Sequence, residues 1–278
     1  PALAVGCTVV HKPADLTPLT AVRIAELALE AGIPAGVFNV LPGRGSVIGK
    51  GLGLHRAIDS LAFTGSTEVG RAYMEYAAQS NLKRVWLELG GKSPNIILPD
   101  APDLQTAIDT AAWGIFFNTG QMCTAPSRLI VHQDVADEVI AGVIKAAENY
   151  KPGDPFDPAT KMGPLASTSR RAEVQAHVDR GLADGSTLAL GGHSVELSGP
   201  LAGGAYYEPT VFINVNPDSA LAQEEIFGPV LSCVRVPDFG KAVQIINDHE
   251  FGNGVSCFTR DGNVAREFSR RIQAGMVG

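Results

Sequence analysis

Charge is scarce in this chain, and positive charge scarcest. Asp, Glu, Lys and Arg make up 18% of 278 residues, with 22 Lys/Arg against 29 Asp/Glu, for a net charge of −7. A nucleic-acid binder would carry a basic face, so the balance argues against that class. Cysteine is sparse as well: Cys7, Cys123, Cys233 and Cys257. No two of them stand at C-x-x-C or metal-ligand spacing, which argues against a zinc site or a dithiol redox motif. No uninterrupted apolar run reaches membrane-spanning length, and no signal peptide is recognisable. Low-complexity segments and internal repeats are also lacking. The chain therefore reads as reduced, soluble and cytoplasmic, with no nucleic-acid or membrane partner.

What is present is enough apolar material for a large core, 45% of residues. The length suits two ordinary domains or one large α/β unit. Residues 1–90 carry eight Lys/Arg and seven Asp/Glu, and the remainder carries 14 and 22. A less acidic first part suits an anionic ligand there.

Strand-like and helix-like stretches alternate. Cys7–Lys12, Val37–Leu41, Ser60–Phe63 and Arg84–Leu89 read as strands. Between them, Thr17-Pro18 opens a helix ended by Gly32, with Thr as cap and Pro in first position. Gly65 to Gly70 opens a second. Such alternation predicts parallel βαβ units in one Rossmann-like sheet. Gly90-Gly91 breaks the pattern, and the domain boundary is placed there, giving domains 1–90 and 91–278. The second part reads as an α/β domain. It has an apolar helical stripe from Leu104 to Ile115, helices near 135–150 and 169–183, and strands near 187–190, 230–236 and 255–259. Residues Gly191 to Gly204 read as a glycine-rich surface loop. Because Pro1 leads straight into a strand and Gly278 falls where another is starting, the chain is read as an internal piece of a longer protein.

Parallel sheets bind ligands beyond the carboxyl ends of their strands. Three polar or glycine-rich loops fall there: Lys12 to Asp15, Gly43 to Gly49, and Gly65 to Gly70. A helix opening after a glycine turn offers free N–H groups and a positive dipole end to phosphate. The G-x-G-x-x-G fingerprint is not present, since Gly43, Gly45 and Gly49 are spaced one residue too long. Singly, such glycines are turns, and Lys12 and Asp15 fit a solvated surface equally well. Together the three loops point to a nucleotide.

Cys123 follows an apolar segment and has small or hydroxyl neighbours, Gly120, Thr124, Ala125 and Ser127. These leave room for a substrate and leave peptide N–H groups free for an oxyanion. A buried structural thiol is the competing reading. A thiol needs a base or a lowered pKa to attack. Glu88, at the end of a largely apolar strand, is the candidate base, and an outward-facing strand residue is its alternative. A thiol, a base and a nucleotide site suggest oxidation through a covalent acyl intermediate. A nucleotide-independent cysteine hydrolase or acyl transferase, or a non-catalytic member of the same fold, would use the same residues differently.

The motifs Lys12-Pro13-Ala14-Asp15-Leu16-Thr17-Pro18, FTGSTEVG at 63–70, LELGGKSPN at 87–95, GQMC at 120–123 and EEIFGPV at 224–230 resemble those of the aldehyde dehydrogenase superfamily over the whole chain. The resemblance implies NAD(P)-dependent oxidation of an aldehyde to an acid, with Cys123 as nucleophile and Glu88 as general base. It implies that Lys12 binds the adenosine ribose. Gly45, Gly49, Gly65, Ser66 and Val69 would line the pyrophosphate and adenine. Leu89 and Gly90 would lie beside the nicotinamide, and Glu225 and Phe227 would position its ribose. Asp15 stands where NAD-preferring members often have glutamate, so NAD is expected over NADP. A homodimer or homotetramer is expected of the full-length parent. The family's oxyanion asparagine, its C-terminal Pro-Phe-Gly-Gly segment and its oligomerisation hairpin lie outside these residues, so the 278 residues are not expected to catalyse alone. Residues 83–96 and 114–123 are similar to enzymes oxidising ω-amino or γ-glutamylamino butyraldehydes. Phe116 and Phe117 would line the aldehyde tunnel or sit in the helix core.

Overall fold

A computed structural model describes all 278 residues, Pro1–Gly278. The chain divides into two compact units, Pro1–Leu89 and Gly90–Gly278.

The first unit contains β1 (Val9–His11), α1 (Leu19–Glu30), β2 (Phe38–Val40), a π-helical turn Gly45–Gly49 running into α2 (Lys50–Leu54), β3 (Ser60–Thr64), α3 (Thr67–Gln79) and β4 (Arg84–Glu88). All pairing is parallel, as βαβ connections require. One expectation is corrected: the four strands do not form one sheet. β1 pairs only with β2, and β3 only with β4, in register from Ser60↔Arg84 to Thr64↔Glu88. The link from β2 to β3 runs through the π turn and α2, and no ladder joins the two pairs. The expected threonine cap of α1 is also not made. Pro18 is already helical and no side chain caps the end.

The second unit is built on a seven-stranded sheet. Its elements are β5 (Pro94–Ile97), α4 (Leu104–Phe116), β6 (Arg128–His132), α5 (Ala136–Ala147), α6 (Thr168–Ala183), β7 (Thr187–Leu190), β8 (Ser194–Val195), β9 (Tyr206–Tyr207), β10 (Thr210–Ile213), α7 (Ala220–Gln223), β11 (Val230–Val236), α8 (Phe239–Asn247), β12 (Gly254–Phe258), α9 (Gly262–Arg271) and β13 (Met276–Val277). The large sheet runs β13-β12-β5-β6-β11-β10-β7, parallel except for the β10–β7 pair. β8 and β9 form a separate antiparallel pair. The stretch 191–204 is therefore not a plain surface loop. It carries β8, and Gly192 within it is buried because its N–H and C=O bond Thr210 and Tyr207.

Strand alternation sorts the core into two layers. Ile96, Ile130, Val230 and Val234 face α6, α7, α8 and α9. Ile97, Leu129, Val131, Leu231 and Cys233 face α4 and α5. With both faces covered, the central strands are nearly continuous apolar runs. Each fully buried Ile, Leu or Phe contributes about 1.5–3 kcal/mol of transfer free energy. This rigid sheet carries the turns that form the candidate site.

Candidate functional site

In the first unit, three of the sequence-selected residues lie together. Lys12 Nζ donates to Asp15 Oδ1 at 2.5 Å and to the Pro13 carbonyl at 2.7 Å. Asp15 Oδ2 accepts from the Gly45 N–H at 3.2 Å. Asp15 is thus a partnered group rather than a solvated turn carboxylate. The Lys12 bond and then the Gly45 N–H hold its carboxyl below the usual range. Gly49 and Gly65 are sites of close approach. A Cβ there would stand 2.5 Å from the Tyr73 hydroxyl and 2.4 Å from the Phe63 ring. Ser66 caps α3, accepting from the Val69 N–H at 3.3 Å. Leu89 packs on α3, where a Cβ on Gly70 would meet its side chain at 2.6 Å. Glu88 is exposed, on the same face of β4 as Arg84 and Trp86. The apolar enclosure expected around it is not found, because β4 alternates and residue 88 falls on its outward face.

In the second unit, three segments meet around the turn that carries Cys123. The first is Gly90-Gly91. A Cβ on Gly91 would lie 2.1 Å from the Cys123 carbonyl oxygen, so only glycine lets that backbone approach. The second is the turn itself. Asn118, Thr119 and Gly120 are all left-handed, with φ of 50°, 58° and 68°. For the two non-glycine residues, Asn118 and Thr119, this costs about 1–3 kcal/mol each unless they are held. They are held: Thr119 Oγ1 donates to the Gly163 carbonyl, Asn118 Nδ2 to the Gln121 carbonyl, and Gln121 Oε1 accepts from the Ala166 N–H. The Ala125 N–H then closes onto the Met122 carbonyl, leaving half-buried Cys123 at the tip. The third segment is Glu225–Gly228. A Cβ on Gly120 would lie 2.1 Å from the Gly228 carbonyl oxygen.

Glu225 completes the ring. Its Oε1 accepts from the Gly91 N–H at 2.9 Å, and a Cβ on Gly90 would meet Oε2 at 2.5 Å. Burial pushes its carboxyl above the usual range, while the Gly91 N–H, Lys92 and Arg170 pull against that. Phe227 is left-handed at φ 55°. Phe116 is fully buried against Tyr150 and belongs to the core, whereas Phe117 is 44% exposed beside Trp113. Behind the ring lie buried cations. Lys92 Nζ has no partner, and burial followed by the Arg128 charge lowers it to about 7. Arg128 Nε donates to the Lys92 carbonyl at 2.7 Å, leaving both terminal nitrogens unpaired.

Two residues of this site, Gly91 and Arg180, escape sequence reasoning. Gly91 showed only as half of a glycine pair. Arg180 forks onto Glu224, which fixes the residue next to Glu225. The Glu224-Glu225 pair is not a plain surface pair, since Glu225 is half-buried and bonded to Gly91.

A mostly parallel sheet covered on both faces, carrying a half-buried thiol at the tip of a strained turn beside a glycine pair and a carboxylate, defines an α/β protein with a cysteine-centred candidate site. The sequence profile of the aldehyde dehydrogenase family matches residues 1–278, and the chain belongs to that family. It is 44% identical over 277 residues to the NADP/NAD-dependent aldehyde dehydrogenase PuuC of Escherichia coli K12, covering 100% of this chain and 54% of that protein. The γ-glutamyl-γ-aminobutyraldehyde dehydrogenase of Burkholderia cenocepacia J2315 superposes with a TM-score of 0.95 at 52% identity, over 99% of this chain and 55% of that one. An indole-3-acetaldehyde dehydrogenase of P. syringae, solved in complex with NAD+ and IAA, gives 0.96 at 48% identity, over 99% and 55%. The chain thus spans about half the length of these relatives.

Proposed function

We propose that the protein carrying this chain oxidises an aldehyde to a carboxylic acid with NAD as cofactor, through a thioester on Cys123. The packing of Gly91 against the Cys123 backbone, of Gly120 against Gly228, and of Glu225 against Gly90 and Gly91, all around the turn that carries the thiol, supports this reading most directly.

The residues present fit a dinucleotide. α3 is 13 residues long and opens at Ser66 after a glycine, an arrangement suited to phosphate. Lys12 keeps a donor after its two bonds, and Glu225 Oε2 accepts no hydrogen bond within the chain. When bound, the nicotinamide accepts the hydride. The chain supplies the rest. Glu88 takes the Cys123 proton and later passes it to solvent; the sulfur bonds to the aldehyde carbon as the C=O electron pair moves onto oxygen, making a tetrahedral alkoxide. Nearby peptide N–H groups steady that oxyanion, since neither the Cys123 nor the Thr124 N–H donates within the chain; losing one such donor costs about 3 kcal/mol of barrier. Collapse of the alkoxide expels hydride and leaves a thioester. Glu88 takes the proton of the water that cleaves the thioester, releasing the acid and regenerating the thiol.

Amine-bearing aldehydes such as ω-amino or γ-glutamylamino butyraldehydes are the proposed substrate class, a reading supported by the name of the Burkholderia cenocepacia relative and not by that of the P. syringae one. The four unpaired cysteines suit the cytoplasmic placement, and a homodimer or homotetramer belongs to the same reading. The test is NADH formation on mixing the full protein with an aldehyde panel and NAD. Cys123→Ala is expected to abolish it, and activity surviving that change removes the nucleophile. Titration calorimetry showing no NAD binding would instead favour a nucleotide-independent hydrolase.

A further inference from the structure

Helix α6 runs past residues 221–228 and meets them at four points. Arg180 donates through Nη1 and Nη2 to Glu224 Oε1 and Oε2 at 3.0 and 2.6 Å. The ring nitrogen Nδ1 of His177 stands 2.8 Å from the same guanidinium. Val174 packs over Gly228, where a Cβ would come within 2.5 Å of its Cγ2, and Gly181 gives way in the same manner to Leu221. The Arg170 guanidinium stands 5.8 Å from the centre of the Phe227 ring. Residues 170, 174, 177 and 181 are spaced four, three and four apart, so they lie along one helical face. That face is not occupied with generic core packing alone. It carries a bidentate fork on one side of Glu225 and an arginine over a strained aromatic residue on the other.

We propose that α6 is the positioning element for the segment Glu224–Gly228, with Arg180 and Arg170 as positioning residues for Glu225. The inference rests on the reading of Glu225 as a cofactor-ribose ligand. The physical need is clear. Phe227 holds a left-handed backbone that an aromatic residue does not choose, so the segment relaxes unless both ends are fixed. Glu225 has one anchor of its own, the Gly91 N–H. Without the fork at Glu224, its second oxygen is free to wander from the place where a ribose diol would meet it. An exposed ion pair does little for global stability. The fork therefore acts on local order rather than on whether the protein folds.

The experiment uses the full protein and two readouts. Hydrogen–deuterium exchange without cofactor reports the segment, and steady-state kinetics report the cofactor. In Arg180→Ala, amides of residues 224–228 are expected to exchange faster while those of β6 and β11 stay unchanged. The KM for NAD is expected to rise about fivefold, the ceiling for a half-exposed pair. The KM for aldehyde and the rate of Cys123 alkylation by iodoacetamide are expected to stay within twofold of wild type. The charge-reversed pair Arg180→Glu with Glu224→Arg is expected to restore both the exchange pattern and the NAD KM. Unchanged exchange in Arg180→Ala overturns the proposal. So does faster exchange with an unaltered NAD KM, or a reversed pair that rescues neither. A wild-type protein that binds no NAD at all overturns the ribose reading, and the exchange arm still decides whether α6 orders the segment.

Discussion

Asp15 is held by two hydrogen-bond donors, the Lys12 ammonium and the Gly45 peptide N–H. Both favour the ionised form, so the carboxylate stays charged across the neutral range. In the proposed cofactor site, a fixed negative charge repels a 2′-phosphate. Asp15→Asn removes that charge and frees Lys12 to meet the phosphate instead. The expected outcome is a fall of about tenfold in the NAD-over-NADP preference, read from kcat/KM with each cofactor. An unchanged preference would take Asp15 out of the discrimination. Gly91 shows the other kind of residue-scale control, since its role is to leave space. Its neighbour in function, Glu225, lies 134 positions away, so nothing local in the sequence marks the pair.

The turn Asn118-Thr119-Gly120 is the element on which Cys123 depends. Gly120 is required twice, by its positive φ and by the Gly228 carbonyl that would strike a side chain. Gly120→Ala is expected to displace the turn and to lower the iodoacetamide alkylation rate of the thiol and kcat together by at least about tenfold, with a local stability cost of roughly 1–3 kcal/mol. Retention of both rates would mean that the turn does not set the thiol's place. Most elements were legible because their signals are local. The apolar stripe of α4 and the helical spacing of α3 are readable by period, whereas the caps made by Asp103, Ser167 and Asp238 went unread and the one cap expected, Thr17, is not made. The short elements β10 and α7 were not legible, since a four-residue element is too short to show a period. The sheet order was hidden too, because β11 enters between β6 and β10 by contacts distant in sequence. The glycines, the thiol and Glu225 were marked by motif. The Arg180 fork was not, with 44 positions between its partners.

At the scale of the whole molecule, buried charge decides how stability follows pH. Lys92 is fully buried and unpaired, and its amine is lowered to about 7 from an ordinary 10.5. Between those values the unfolded chain binds a proton that the folded chain has released, so this residue makes stability rise with pH. Lys92→Met removes the cost. Its urea midpoint is expected to exceed that of wild type most at or below pH 7, by up to about 4 kcal/mol in stability, with the gap closing toward pH 10.5. A gap that does not change with pH would mean that Lys92 carries no shifted proton. His249 acts in the same sense at lower pH. Burial and Arg128 lower it to about 4, so stability falls as pH drops from about 6.5 through 4.

The two strand pairs of residues 1–89 have a practical corollary. Each two-membered ribbon leaves a flank of peptide groups without a ladder partner, and α1 beside them buries none of its side chains fully. A lone ribbon of this kind is marginal in water and offers a template for another strand. Residues 90–278 by contrast keep a seven-stranded sheet clothed in helices, so in limited proteolysis of this chain that unit is the one expected to resist cleavage.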